Sequence, residues 1–167
     1  MRKESQPGQP GMVYEINLGG GHKAYGIVAV GGDVGFVNLT SEYRPSMSVI
    51  KDAEVAFRVH TTPDVFDPTG WEFIGEIELP LELKSHGKYR RQPVGSNNIF
   101  LYYNGHSEPI TAEEASRLEV AAAWHKHHIE ERLKDHFAGR PNHIKENSHR
   151  IKKYDVLTGQ EIKESGA

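Results

Sequence analysis

The stretch MVYEINLGGGHKAYGIVAV, residues 12–30, decides the fold. Tyr14, Ile16 and Leu18 alternate with Val13, Glu15 and Asn17, which is the two-residue period of a half-buried strand. Gly19, Gly20 and Gly21 follow, and three glycines in a row free the backbone for a turn. Residues 24–30 return as a second run rich in β-branched side chains. Gly31-Gly32-Asp33 then predicts another turn and residues 35–39 a third strand. Two successive hairpins point to an antiparallel meander.

Outward from this core, Val55, Phe57 and Val59 alternate with Ala56, Arg58 and His60 and predict a fourth strand. Residues 71–79 predict a fifth, with Trp71, Phe73, Ile77 and Leu79 on one face and Glu72, Glu76 and Glu78 on the other. Pro80 ends its ladder. Residues 43–52, 61–70 and 84–98 read as loops, being rich in Pro, Ser, Gly and polar residues. Residues 99–103 form a sixth strand closed by Asn104-Gly105. Both of its faces are apolar, so it is expected at the centre of a sheet. From Thr111 the period changes. Thr111 and Glu114 stand at capping-box spacing. Ala115, Leu118, Ala122, His125, Ile129 and Leu133 follow at helical steps. These predict one helix ending near Phe137, before Gly139 and Pro141, about 39 Å long. The fold class is therefore α+β: a bent antiparallel sheet or partial barrel of about six strands, with one long C-terminal helix.

With 167 residues the chain suits one domain. Residues 1–11 are expected to be a disordered tail, since Pro7, Gly8, Pro10 and Gly11 oppose helix and ladder. Residues 12–139 make the α+β domain. Residues 140–167 make a polar, locally basic extension, packed on the domain or trailing from it, with a small hairpin around Thr158-Gly159. There is no membrane-length apolar run and no apolar stretch behind the N-terminal charges, so a cytoplasmic protein is expected.

The composition excludes several functions. There is no cysteine, and with it go disulfides, thiolate zinc sites and cysteine nucleophiles. The net charge is -3, against the basic excess of a general nucleic-acid binder. Gly19-Gly20-Gly21-His22 lacks the Lys-Ser/Thr of a phosphate loop and joins strands. A Gly-x-Ser-x-Gly elbow is missing. His125, His127 and His128 are the densest histidine cluster. His125 and His128 stand at i, i+3 with Glu131 beyond, the basis of an alternative reading as a metal-dependent hydrolase. Against it, the spacing places no third ligand, and His125 falls on the predicted buried stripe. A further alternative is a ligand-binding barrel whose mouth is lined by Phe100, Tyr102 and Tyr103.

Charge patterning says more. Between Asp64 and Glu82 there are six acidic residues (Asp64, Asp67, Glu72, Glu76, Glu78 and Glu82) and no Lys or Arg. On a strand, Glu76 and Glu78 would stand about 6.6 Å apart on one face, with Glu72 further along. Such a row persists when solvated or when a cationic partner offsets its repulsion. Lys84, Lys88, Arg90 and Arg91, just downstream, are the chain's own candidates for neutralising it.

Two stretches together resemble a known family: Gly11, the strand beginning at Met12, the glycine turn and Tyr25-Gly26; and Trp71, Ile74-Gly75 and Leu79-Pro80. They are similar to the polymorphic-toxin immunity proteins of the twenty-sixth immunity family, some of whose members are labelled phosphotriesterase-like. The resemblance covers about the first half of the chain. It implies a cytoplasmic antidote without cofactor or catalysis. Such a protein binds the toxic C-terminal domain of a secreted effector, here expected to be basic with a nuclease as the candidate activity, and blocks its active site or substrate access. The acidic residues from Asp64 to Glu82 are the candidate toxin-binding set. No membrane and no direct nucleic-acid contact are expected. Gly26 is read as a place of close approach and Gly75 as a bulge.

Overall fold

A computed structural model describes residues 6–163. The chain folds as α+β, with a curled six-stranded half-barrel sheet, a second four-stranded sheet and a few helices. The first sheet holds β1 (Met12–Gly19), β2 (His22–Val28), β3 (Val34–Ser41), β4 (Val55–Thr61), β5 (Glu72–Glu76) and β10 (Ala123–Trp124), in the order β10-β4-β3-β2-β1-β5. The pairings are antiparallel except that of β10 with β4. The predicted meander is its centre, and Gly19, Gly20 and Gly21 all take positive φ at the first turn.

Alternation divides the core between the two faces of this sheet. Met12, Tyr14, Ile16, Ala24, Val28, Val34 and Phe36 build one cluster with Trp71, Trp124, Ile129 and Leu133. Val13, Tyr25, Ile27, Ala29 and Val37 build the other with Ile50 and Leu83. Gly26 faces the first cluster, where an added Cβ would lie 2.9 Å from Val34 Cγ1, so the close approach expected at this glycine is present.

The second sheet runs β8-β7-β6-β9, from β6 (Lys88–Arg91), β7 (Ile99–Tyr103), β8 (His106–Ile110) and β9 (Glu119–Val120). Two of these, β6 and β8, lie in segments too polar to read as strands. Their ladders depend on β7 between them. β7 is central, as expected, but the helix that packs on it is the short α2 (Ala112–Ser116), and Tyr102 is exposed. Residues 47–52, expected as loop, form α1 (Met47–Asp52), whose N-cap Ser46 accepts from the Val49 amide.

The single long helix is replaced by α2, two short strands and α3 (Lys126–Phe137), a helix of 12 residues. The Thr111/Glu114 capping box forms, and the C-terminal stop lies at Phe137 as predicted. Between them residues 119–124 extend. Glu119 and Val120 pair with Tyr89 and Arg90 of β6, and Ala123 and Trp124 with His60 and Thr61 of β4. This segment therefore ties the two sheets together, and Trp124 enters the core.

Both expected extensions are partly docked. Gly11 is buried, its amide donating to the Val28 carbonyl and its carbonyl accepting from the Ile77 amide, each 2.9 Å. The Gly8 amide donates to Tyr14 Oη at 3.0 Å. At the other end α4 (His143–His149) packs on the domain, and Tyr154 bridges Glu161 to close the predicted hairpin. The remainder of both extensions, residues 1–5 and 164–167, lies outside the described residues. Among the described residues, no helix is long and apolar enough to cross a membrane.

Gly75 sits at the β1–β5 bulge with φ +151°, a conformation costly for any side chain. Gly75→Val is expected to destabilise the chain by about 1–3 kcal/mol in thermal or urea unfolding.

Candidate functional site

β5 is the outer strand of the half-barrel, so one row of its backbone groups has no strand neighbour. The bulge decides what this edge displays. Glu76 pairs with Met12 and Glu72 with Glu15, and Met12 and Glu15 point to opposite faces. The expected common face for Glu72 and Glu76 is thus corrected: the extra residue turns Glu72 away.

All six acidic residues are exposed. Two are neutralised within the chain. Glu72 pairs with Arg44 Nη2 at 3.2 Å, and the same guanidinium reaches the buried Glu15 at 2.8 Å. Arg44 hydrogen bonding holds the Glu15 carboxyl below its ordinary range against the opposing effect of burial, and Lys23 assists. Glu78 accepts from Lys84 at 3.3 Å and meets Lys51 at 3.7 Å, and these cations lower its pKa in that order. Of the downstream basic cluster only Lys84 serves this purpose. Lys88 lies over the Tyr103 ring, and Arg90 is buried elsewhere. Asp64, Asp67, Glu76 and Glu82 make no ion pair among the described residues.

An aromatic row links residues 64–67 to β5. The Phe66 ring, between Asp64 and Asp67, lies 5.0 Å from Tyr14, whose other neighbour is Phe73 at 5.8 Å. Phe73 pairs with Tyr14 across β1 and β5 and remains 49% exposed. An exposed phenyl on a sheet edge can bury apolar area, and the unpaired Glu76 on the same strand can attract a cationic surface.

The histidine cluster differs from expectation. His125 is exposed at the N-terminal cap of α3, not on a buried stripe. Its ring centroid lies 5.8 Å from that of His128 and 6.2 Å from that of His127. Among the described residues no three or more His, Asp or Glu side chains are arranged to hold a metal ion. The pair is left without the third ligand that a catalytic zinc needs.

Two buried ionic clusters escaped the sequence. Asp33 accepts from Arg58 Nε at 2.7 Å and Nη2 at 3.0 Å, and from the Tyr89 hydroxyl. Burial and then the neighbouring Asp33 push the Tyr89 hydroxyl up, so it stays protonated. The adjoining recess of about 180 Å³ is also lined by His60, His86 and Tyr102. Asp33 is committed to Arg58, and the His60 ring packs against Tyr89 with centroids 4.5 Å apart. Of the aromatic set expected at a ligand mouth, only Tyr102 reaches this recess. In the second cluster, Glu119 accepts from Arg132 and from His149 Nε2, each at 2.5 Å. Arg132 also lies 3.9 Å from the centre of the Phe57 ring. The one local signal was a charge inside an apolar pattern: Arg58 between Phe57 and Val59, and Arg132 beside Leu133.

Comparison with protein-family models, with curated proteins and with solved structures found no match.

Proposed function

We propose that this chain is a cytoplasmic immunity protein that acts by covering a basic surface of a toxin domain. It turns over no substrate. The observation that carries this reading is the acidic stretch from Asp64 to Glu76: half-exposed Phe73 shares β5 with Glu76, Asp64 and Asp67 flank Phe66 in sequence, and none of the three carboxylates pairs with a cation among the described residues. Unpaired like charges close together in the chain repel each other, and a cationic partner converts that repulsion into attraction. The resemblance of the first half of the chain to an immunity family supplies the partner class.

The expected partner is a basic toxin domain encoded beside this chain, with a nuclease as the natural candidate. Its active site or substrate approach would be blocked by contact along β5. Long-range attraction speeds such encounters and fades with salt. The triple variant Asp64→Lys, Asp67→Lys, Glu76→Lys is therefore expected to associate with that domain at least about tenfold more slowly at low ionic strength. Its rate should also depend less steeply on salt. Stopped-flow association measures both. An unchanged rate would remove this edge from the interface. If the chain protects no cell from any poison encoded at its own locus, the immunity reading falls with it.

A further inference from the structure

Away from the acidic edge, on the second sheet, one cation is buried without an acid. Arg90 of β6 is 5% exposed. Its Nη2 donates to the His149 carbonyl at the end of α4, while its Nε has no hydrogen-bond partner. No carboxylate lies within ion-pair distance among the described residues. The acid whose charge it feels, Glu119, is already bonded to Arg132 and His149. Burial accordingly pulls the Arg90 pKa down. A buried charge is costly unless it is paired.

Arg90 forms part of the wall of a cleft of about 160 Å³. Arg150, Lys152, Ser148, Gln92 and Tyr154 share that wall with Val94 and Val120. No Asp or Glu is in the lining, although Arg150 also pairs with Glu161 at 2.9 Å. Side-chain clamps fix its C-terminal wall. The Gln92 amide donates to the Lys152 carbonyl at 2.7 Å and accepts from the Lys152 amide at 3.1 Å. Asn97 does the same to Tyr154, at 2.8 and 2.7 Å. Two amides thus fix the backbone at Lys152 and Tyr154 on one side of the cleft, and little of that wall is left to order when a ligand enters.

We infer that this cleft is an oxyanion site, and that it takes a phosphate group, either free or at the end of a small phosphate ester. The volume is roughly five water volumes, enough for that group with some of its hydration. Guanidinium and ammonium groups are suited to phosphate oxygens. The Ser148 hydroxyl donates to the Lys145 carbonyl at 3.1 Å and serves only as wall.

The test titrates inorganic phosphate into the full chain by calorimetry, against chloride at equal ionic strength. One saturable site for phosphate and none for chloride is expected. Arg150→Ala/Lys152→Ala removes two exposed side chains, so the fold should be retained while phosphate affinity falls at least about tenfold. Arg90→Leu should abolish binding, yet leave the phosphate-free melting temperature unchanged or raised. Adenosine monophosphate separates the two sources. Tighter binding than phosphate assigns a phosphate ester, and equal or weaker binding assigns the free ion. Heats that follow ionic strength alone, or an unchanged affinity in the double variant, would overturn the assignment.

Discussion

Asp33→Ala should lower the unfolding free energy by about 3–5 kcal/mol, the usual cost of breaking a buried ion pair from one side. Asp33 is 1% exposed, and the side chain of Arg58 is 14% exposed. Without the carboxylate, Arg58 keeps its bonds to the carbonyls of Val30, Glu82 and Ser85 but loses its counter-charge. The Tyr89 hydroxyl loses its acceptor too. These partners come from the β2–β3 turn, β4, the approach to β6, and β6 itself, so the loss loosens the seam between the two sheets. For a chain of this length the melting temperature should fall by roughly 10 °C. Urea unfolding of Asp33→Ala, Arg58→Met and the double variant tests the cause. The double variant should be more stable than the sum of the single losses predicts. Strict additivity would show that the pair is not coupled.

Glu119→Ala is expected to cost a similar amount, about 3–5 kcal/mol, with a pH dependence that identifies the group. Burial raises the Glu119 pKa, but the hydrogen bonds from His149 and Arg132 outweigh it and bring the value from the ordinary 4.5 to about 2. The carboxylate is therefore favoured in the folded state. Its stabilisation is complete above about pH 4.5 and is lost as pH falls toward 2, because the unfolded chain takes up the proton first. Over that window the group should contribute about 3 kcal/mol. Measured by urea unfolding, the gap between the parent chain and Glu119→Gln should be full at pH 6 and should narrow toward pH 2. A constant gap would mean that the carboxylate charge is not what holds α3 and α4 to β9.

Both clusters show why the fold could be read from the sequence while its fastening could not. The β1–β2–β3 meander follows from alternation and glycine turns, which act within a few residues. The same holds for the Thr111 cap and for the stop at Phe137. Asp33 and Tyr89 are 56 residues apart, and His149 and Glu119 are 30 apart. Nothing local announces that such groups will meet. The acidic edge was legible as composition but not as geometry. All six residues are exposed, yet one bulge separates Glu72 from Glu76, and internal cations silence Glu72 and Glu78. In the sequence the buried Arg90 is one member of a basic run, Lys88, Arg90 and Arg91, and nothing local marks it as buried.

By itself the sequence determined the strand-rich first half, the α+β class, the missing thiol chemistry and the acidic bias around the fifth strand. These follow from period, turn chemistry and composition, which are properties of neighbouring residues. The tertiary structure alone decided that residues 119–124 extend instead of continuing a helix. Helical spacing there is satisfied by small or weakly apolar side chains, and pairing with β6 and β4 buries Trp124 and gives Glu119 its two cations. Free-energy gains from partners distant in the chain outweigh local periodicity wherever that periodicity buries little, and in this protein both the joint between the sheets and the anion cleft are set in that way.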